Sequence, residues 1–198
     1  MLGSIPFGML ISRKIAGVDI SQEGSGNIGA TNVSRILGLK YGIATLALDS
    51  IKGFIPVYIA SSLFSQNSAL ACLTGISALV GHMFSIFIKF RGGKGIATGL
   101  GIFLALSPYN TLICMILFII TVFVWDFISL GSIIASLTMP VIIFISNENS
   151  YLITSSAIMS LLICFKHRGN IQRLLKGKER KWRSSKDKKQ PNNKQELG

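Results

Sequence analysis

Acidic residues are scarce in this chain: eight Asp and Glu stand against twenty Lys and Arg in 198 residues. They are scattered, so no cluster of carboxylates is available for a two-metal site. Histidine occurs only twice, at His82 and His167, and neither is followed five residues later by Asp. No Gly-x-Ser-x-Gly elbow is present, which leaves no obvious covalent nucleophile paired with a base. The three cysteines, Cys72, Cys114 and Cys164, sit singly within apolar stretches at spacings that suit neither zinc nor a disulfide framework. They read as small packing residues. No Lys or Arg precedes the first apolar stretch, which argues for a retained span rather than a cleavable signal with its charged leader. There is no convincing internal repeat.

What the chain has in quantity is apolar sequence. Hydrophobic residues make up 49% and the mean hydropathy is +0.55, more than a soluble core of this size needs. Seven apolar segments can be drawn: Leu2 to Val18, Tyr41 to Phe64, Ala69 to Ile88, Ile96 to Leu106, Thr111 to Trp125, Ser129 to Ser146 and Tyr151 to Phe165. The connections alternate in charge. Arg13, Lys14, Arg35 and Lys40 flank the first, and Lys89, Arg91 and Lys94 fill the third. The stretches at 65–68, 107–110 and 147–150 carry no Lys or Arg. The positive-inside rule then sets the basic connections and the C-terminus in the cytoplasm and the N-terminus outside. The expected fold is an all-α integral membrane protein of seven transmembrane helices, some short or broken. Asp126-Phe127-Ile128 is the weak joint, because it must lie inside yet has no basic residue.

The net charge of +12 belongs mainly to the C-terminal end, where twelve Lys and Arg face three acids from Lys166 onward. The stretch from Gly177 to Gly198 has few apolar residues to bury and is expected to be largely disordered near anionic headgroups. The chain thus divides into a membrane domain, 1–180, and a basic cytoplasmic tail, 181–198. With one aromatic residue, Trp182, the tail gives no reason to expect nucleic acid as a partner.

Two polar segments interrupt the apolar pattern. Arg91-Gly92-Gly93-Lys94-Gly95 forms a cationic, glycine-rich turn before a helix expected from Ile96. Converging N–H groups, the Lys94 ammonium and the positive end of that helix would together hold an anion, phosphate above all. It is not a nucleotide-hydrolysing phosphate loop: Gly95 stands where Ser or Thr should follow the lysine, and Ile88 where the upstream glycine should be. On its own it also reads as a tight turn with a snorkelling lysine. Gly24 to Arg35 forms the second loop, in which Ser25, Asn27, Thr31 and Asn32 offer neutral donors and Arg35 a planar fork. Helix capping is its plainer reading. His167 and Asn170 share a face if the last helix continues, as a headgroup-level site or as surface residues. His82 reads as an interhelical hydrogen-bond partner, and Asp49 with Lys52 as a mutually neutralising pair inside the bundle. The fourth and fifth segments are shorter than the roughly 20 residues of a full span, as broken helices beside a ligand site would be.

Taken together, Gly3-Ser4-Ile5-Pro6-Phe7-Gly8, Ser25 to Arg35, Gly81-His82, Gly92 to Thr98 and Lys166-His167-Arg168-Gly169-Asn170-Ile171 resemble the PlsY family of bacterial acyl-phosphate:glycerol-3-phosphate acyltransferases. The resemblance runs from about Leu2 to Arg180. It implies a seven-helix enzyme of the bacterial cytoplasmic (inner) membrane, open to the cytoplasm, that performs the first acylation of phospholipid synthesis without a cofactor or metal. Its partners would be acyl phosphate, glycerol 3-phosphate, membrane lipids and, functionally, an acyl-phosphate-forming enzyme. It assigns catalysis to Ser25, Arg35, Lys94, His167 and Asn170, and substrate or phosphate binding to Asn27, Thr31, Gly92, Gly93, Gly95, Ser129 and Ser132. Two places depart from the pattern: Ser85 stands where proline is usual, and Asp126-Phe127 where a basic-aromatic pair is usual. Rival readings of the same residues are a transporter or binding protein for a small phosphorylated solute, and a membrane subunit that docks acidic partners through its tail.

Overall fold

A computed structural model describes residues 1–183, all of whose regular structure is helical. In chain order the helices are α1 (Phe7–Ala16), α2 (Ala30–Leu37), α3 (Leu39–Leu63), α4 (Ser68–Met83), α5 (Ile96–Leu106), α6 (Pro108–Trp125), α7 (Ile128–Ile145), α8 (Ser150–Lys166) and α9 (Arg168–Leu175). Short 3-10 turns cover Leu2–Ser4 and Ile86–Ile88. Each of the seven apolar segments is a helix.

Length separates these helices. Four are long and apolar enough to cross a membrane: α3, α4 with its 3-10 extension, α6 and α7. A fifth is counted if α8 and α9, bent by 61° at His167, are taken as one. The ten residues of α1 and the eleven of α5 are shorter. The fifth apolar segment, in contrast, is not short. Pro108 occupies the first turn of α6, where its missing N–H has no partner to lose, so the helix begins there and the α5–α6 connection shrinks to Ser107. The second polar loop is also partly helical. Val33 buries completely and Ile36 and Leu37 pack against the same small core, which gives residues 30–37 the apolar face that a helix needs.

The main core lies between α3, α4, α5, α7 and α8, around Val57, Leu79, Met83, Ile102, Ile143 and Met159. α5 packs closely on α3. A Cβ on Gly101 would collide with the Ser50 carbonyl, and one on Gly53 with the Thr98 carbonyl, so glycine at both positions sets the helix spacing. Inside the bundle Lys52 Nζ lies 2.7 Å from the Asp49 carboxylate and donates to the Ile5 carbonyl at 2.6 Å, tying the N-terminal turn to α3. Ser85 is buried and donates from its hydroxyl to the Ser4 carbonyl at 2.5 Å, which fastens the end of α4 to that turn.

Beyond α9 the chain has no regular structure, yet its described part is tethered. Trp182 N–H donates to the Asp126 carbonyl at 2.9 Å, and Arg183 N–H to the Asp126 carboxylate at 3.0 Å. The joint that lacked a basic residue in the sequence receives one from the end of the chain. Of the stretch from Gly177 expected to be disordered, residues 178–183 carry contacts of this kind, and 184–198 lie outside the described residues.

Candidate active site

One cavity of about 640 Å3 gathers the polar segments. Ser25 and Asn27 reach it from the α1–α2 loop, and Thr31 and Arg35 from α2. Lys94 and Gly95 come from the turn before α5, Ser129 and Ser132 from α7, and His167 and Asn170 from the α8–α9 bend. Arg35 and Lys94, 59 positions apart in sequence, thus line the same cavity. Gly92 and Gly93 lie elsewhere: Gly93 N–H donates to the His82 carbonyl at 3.2 Å, and both glycines pack the turn against the end of α4. Gly95 alone of the three is at the cavity wall, in the left-handed conformation (φ 87°) that lets the chain turn directly into α5.

Local hydrogen bonds hold the first wall in shape. Asn32 folds the loop: its Oδ1 accepts from Ser25 N–H at 2.9 Å while its amide donates to Ile20 and Glu23 carbonyls. Asn27 Oδ1 accepts from Gly29 N–H at 2.9 Å in the turn just before α2. On α2 the Nε–H of Arg35 is buried and finds no acceptor among the described residues. A buried guanidinium N–H without a partner is a site prepared for an anion.

The second wall is a chain of short bonds. Lys94 Nζ donates to Asn170 Oδ1 at 2.5 Å, Asn170 Nδ2 donates to Glu179 Oε1 at 2.6 Å, and Ser129 Oγ donates to the same oxygen at 2.8 Å. Arg173 Nε completes it, 2.8 Å from Glu179 Oε2. His167 is buried, and its Nδ1 lies 2.9 Å from the Ile163 carbonyl. A carbonyl can only accept, so Nδ1 carries the proton and a neutral ring keeps Nε2 as an acceptor. Ser132 Oγ donates within α7 to the Ile128 carbonyl at 2.8 Å.

These contacts set the protonation of the wall. Burial lowers the Lys94 ammonium to about 8, with Glu179 opposing the shift and Arg173 and Arg35 reinforcing it. Burial would raise the Glu179 carboxyl, but hydrogen bonds from Asn170, Ser129 and Arg173 outweigh it and hold the group below the usual value. Arg35 is lowered by burial and then by Arg180, which leaves a cation poorly solvated until an anion arrives. Beyond this polar end the cavity is apolar, walled by Leu100, Phe103, Phe118 and Met139 among others. From Ser129 to Met139 the wall follows α7 for about 15 Å, at ~1.5 Å per residue. Ile43, Leu46 and Ile119 also line the cavity and are exposed.

The family model described as glycerol-3-phosphate acyltransferase matches residues 1–177. The chain belongs to the glycerol-3-phosphate acyltransferase family. Its relatives of that name include a protein of Desulfotalea psychrophila, 48% identical over 92% of this chain and 94% of its own length. One from Aquifex aeolicus is 41% identical over 92% and 94%. The fold matches the crystal structure of the integral membrane glycerol 3-phosphate acyltransferase PlsY in its glycerol 3-phosphate form, with a TM-score of 0.91, 39% identity, and 96% and 94% of the two chains covered. The lysophosphatidic acid form of PlsY matches with a TM-score of 0.86 and 40% identity over 91% and 89%.

Among the cavity residues of this acyltransferase that the sequence left without a role are Arg173, Glu179, Arg180 and Trp182. All four lie in the basic C-terminal stretch, where composition hides individual residues. A signal was present in Glu179, the sole acid between Asp126 and the outermost tail apart from Glu148.

Proposed function

We propose that this chain transfers a fatty acyl group from acyl phosphate to the 1-hydroxyl of glycerol 3-phosphate, giving lysophosphatidate and inorganic phosphate. The observation that carries the reading is that Arg35 and Lys94 line one cavity whose remaining lining is largely apolar. Two anionic groups and an alkyl chain need that combination. Arg35, with its unpartnered Nε–H, and Lys94 grip the phosphates, helped by the Ser25, Asn27 and Thr31 side chains and by Gly95 at the positive end of α5. Ser129 and Ser132 serve the same polar end, Asn170 orients Lys94, and Gly92 and Gly93 hold the turn in place.

An acyl phosphate is an activated mixed anhydride. The 1-hydroxyl oxygen bonds to the acyl carbon, the bond from that carbon to the phosphate oxygen breaks, and the hydroxyl proton passes to the departing phosphate. Positioning and fixed positive charge then supply the catalysis without an acyl-enzyme. His167 Nε2 orients the hydroxyl. Trapping a stable acyl-enzyme by rapid quenching and mass spectrometry would refute direct attack.

The site opens to the cytoplasm of a bacterial inner membrane that the bundle crosses seven times, with the N-terminus outside. Support comes from Arg35, Lys94, Arg173 and Arg180 gathered at one cavity. Acyl phosphate reaches it from an acyl-phosphate-forming enzyme. Purified protein given labelled glycerol 3-phosphate with acyl phosphate, acyl-CoA or acyl carrier protein thioester, each separately, tests the donor. Labelled lipid should form with acyl phosphate alone. In proteoliposomes a transporter would instead accumulate the label unchanged.

A further inference from the structure

We infer that Asp126, at the α6–α7 corner, is a positioning residue that holds a C-terminal strap, residues 178–183, across the polar mouth of the cavity. The inference rests on the proposed reading of that cavity. The strap has no helix of its own and is fixed at two points. At one, Glu179 is held by Ser129, Asn170 and Arg173. At the other, Asp126 takes both of the last two described N–H groups: Trp182 N–H on its carbonyl at 2.9 Å, and Arg183 N–H on its carboxylate at 3.0 and 3.3 Å. The Arg183 guanidinium adds a bond to the Phe123 carbonyl at 2.9 Å, at the open end of α6, and lies 5.3 Å over the Phe123 ring. Between the anchors, Arg180 and Trp182 face the cavity.

The two anchors do different work. The Glu179 anchor is part of the wall that presents Lys94, whereas the Asp126 anchor holds the strap's own Trp182 and Arg183 backbone and has no hydrogen bond to Lys94, Asn170 or Ser129. Asp126 adopts a left-handed backbone (φ 62°), which asparagine tolerates and glycine prefers. Asp126→Gly therefore keeps the corner while removing the carboxylate, and Asp126→Asn keeps an acceptor for Arg183 N–H.

Two measurements on the purified full-length protein test this. Hydrogen–deuterium exchange without substrate reads the strap directly and does not depend on which reaction is catalysed. Asp126→Gly should speed exchange of the Arg183 amide, with the α6 and α7 amides unchanged, and Asp126→Asn should remain close to wild type. In steady-state kinetics Asp126→Gly should raise KM for glycerol 3-phosphate about tenfold, the weight of one charge-assisted hydrogen bond, with kcat within about twofold. Arg183→Glu, a change at an exposed position, should raise KM in the same direction and guards against loss of the corner itself. Unchanged exchange in Asp126→Gly would overturn the strap. Faster exchange with unchanged KM would overturn its positioning role, and equal effects of Asn and Gly would overturn the assignment to the carboxylate.

Discussion

Raising the pH should switch this enzyme off through Lys94. Its ammonium titrates at about 8 in the free protein because burial penalises the charged form. A lysine loses its charge as pH rises, so the phosphate grip is present below that value and lost above it. About nine-tenths of the molecules carry the charge at pH 7 and about one-tenth at pH 9, so kcat/KM, which reports the free enzyme, should fall about tenfold over each unit above 8. On the acid side the limit comes from the substrate phosphate, whose second proton leaves near pH 6. The profile should therefore be a bell between about 6 and 8. Glu179 holds the Lys94 value up, so Glu179→Gln should move the alkaline limb to lower pH. Lys94→Arg, whose guanidinium stays charged, should flatten that limb if turnover survives. The assay is initial-rate formation of labelled lysophosphatidate across pH 5.5 to 10, at substrate well below KM. An alkaline limb at the ordinary lysine value, or one that Glu179→Gln leaves in place, would refute the reasoning.

Arg35→Ala should lower kcat/KM by about 10²–10⁴-fold, the loss of two charge-assisted hydrogen bonds, and Arg35→Lys by about 10–100-fold because the charge stays but the fork does not. Both variants should still insert, which a fluorescence-detected size-exclusion profile in detergent checks. Gly101→Ala should destabilise the bundle by about 1–3 kcal/mol, since the added methyl meets the Ser50 backbone; a lower thermal unfolding midpoint in detergent reads it. Deletion of Lys186 to Gly198, outside the described residues, should leave turnover within about twofold of wild type; loss of activity would favour a partner-docking role for the tail.

Much of the helical layout was legible because lipid forces apolar runs into helices and leaves them unbroken. The seven runs and the glycine turn at 92–95 could be read directly. What escaped were helices whose apolar face is narrow or whose start is a proline. α2 hid behind Ser, Thr and Asn, and Pro108 read as loop although it opens α6. In the site, Arg35 and Lys94 declared themselves as cations in polar loops between apolar runs, whereas Asn170, in a basic stretch, was open between site and surface on spacing alone and was named only through the family resemblance. Glu179 did not stand out, since its meaning arises only when 178–183 folds back onto Ser129 and Asn170, 50 and nine positions away. Gly92 and Gly93 show what spacing does not reveal: glycine beside a lysine suggests a ligand cradle, while in the fold both pack against the end of α4 and Gly93 N–H bonds to the His82 carbonyl.

Ile43, Leu46 and Ile119 line the cavity and are also exposed, so its apolar lining is not sealed inside the bundle. On the proposed reading, a small water-soluble alcohol enters this cavity and leaves as an amphiphile, and each methylene contributes about 0.8 kcal/mol toward hydrocarbon over water. The proposed phosphate product has no such preference, so the two products favour different routes out.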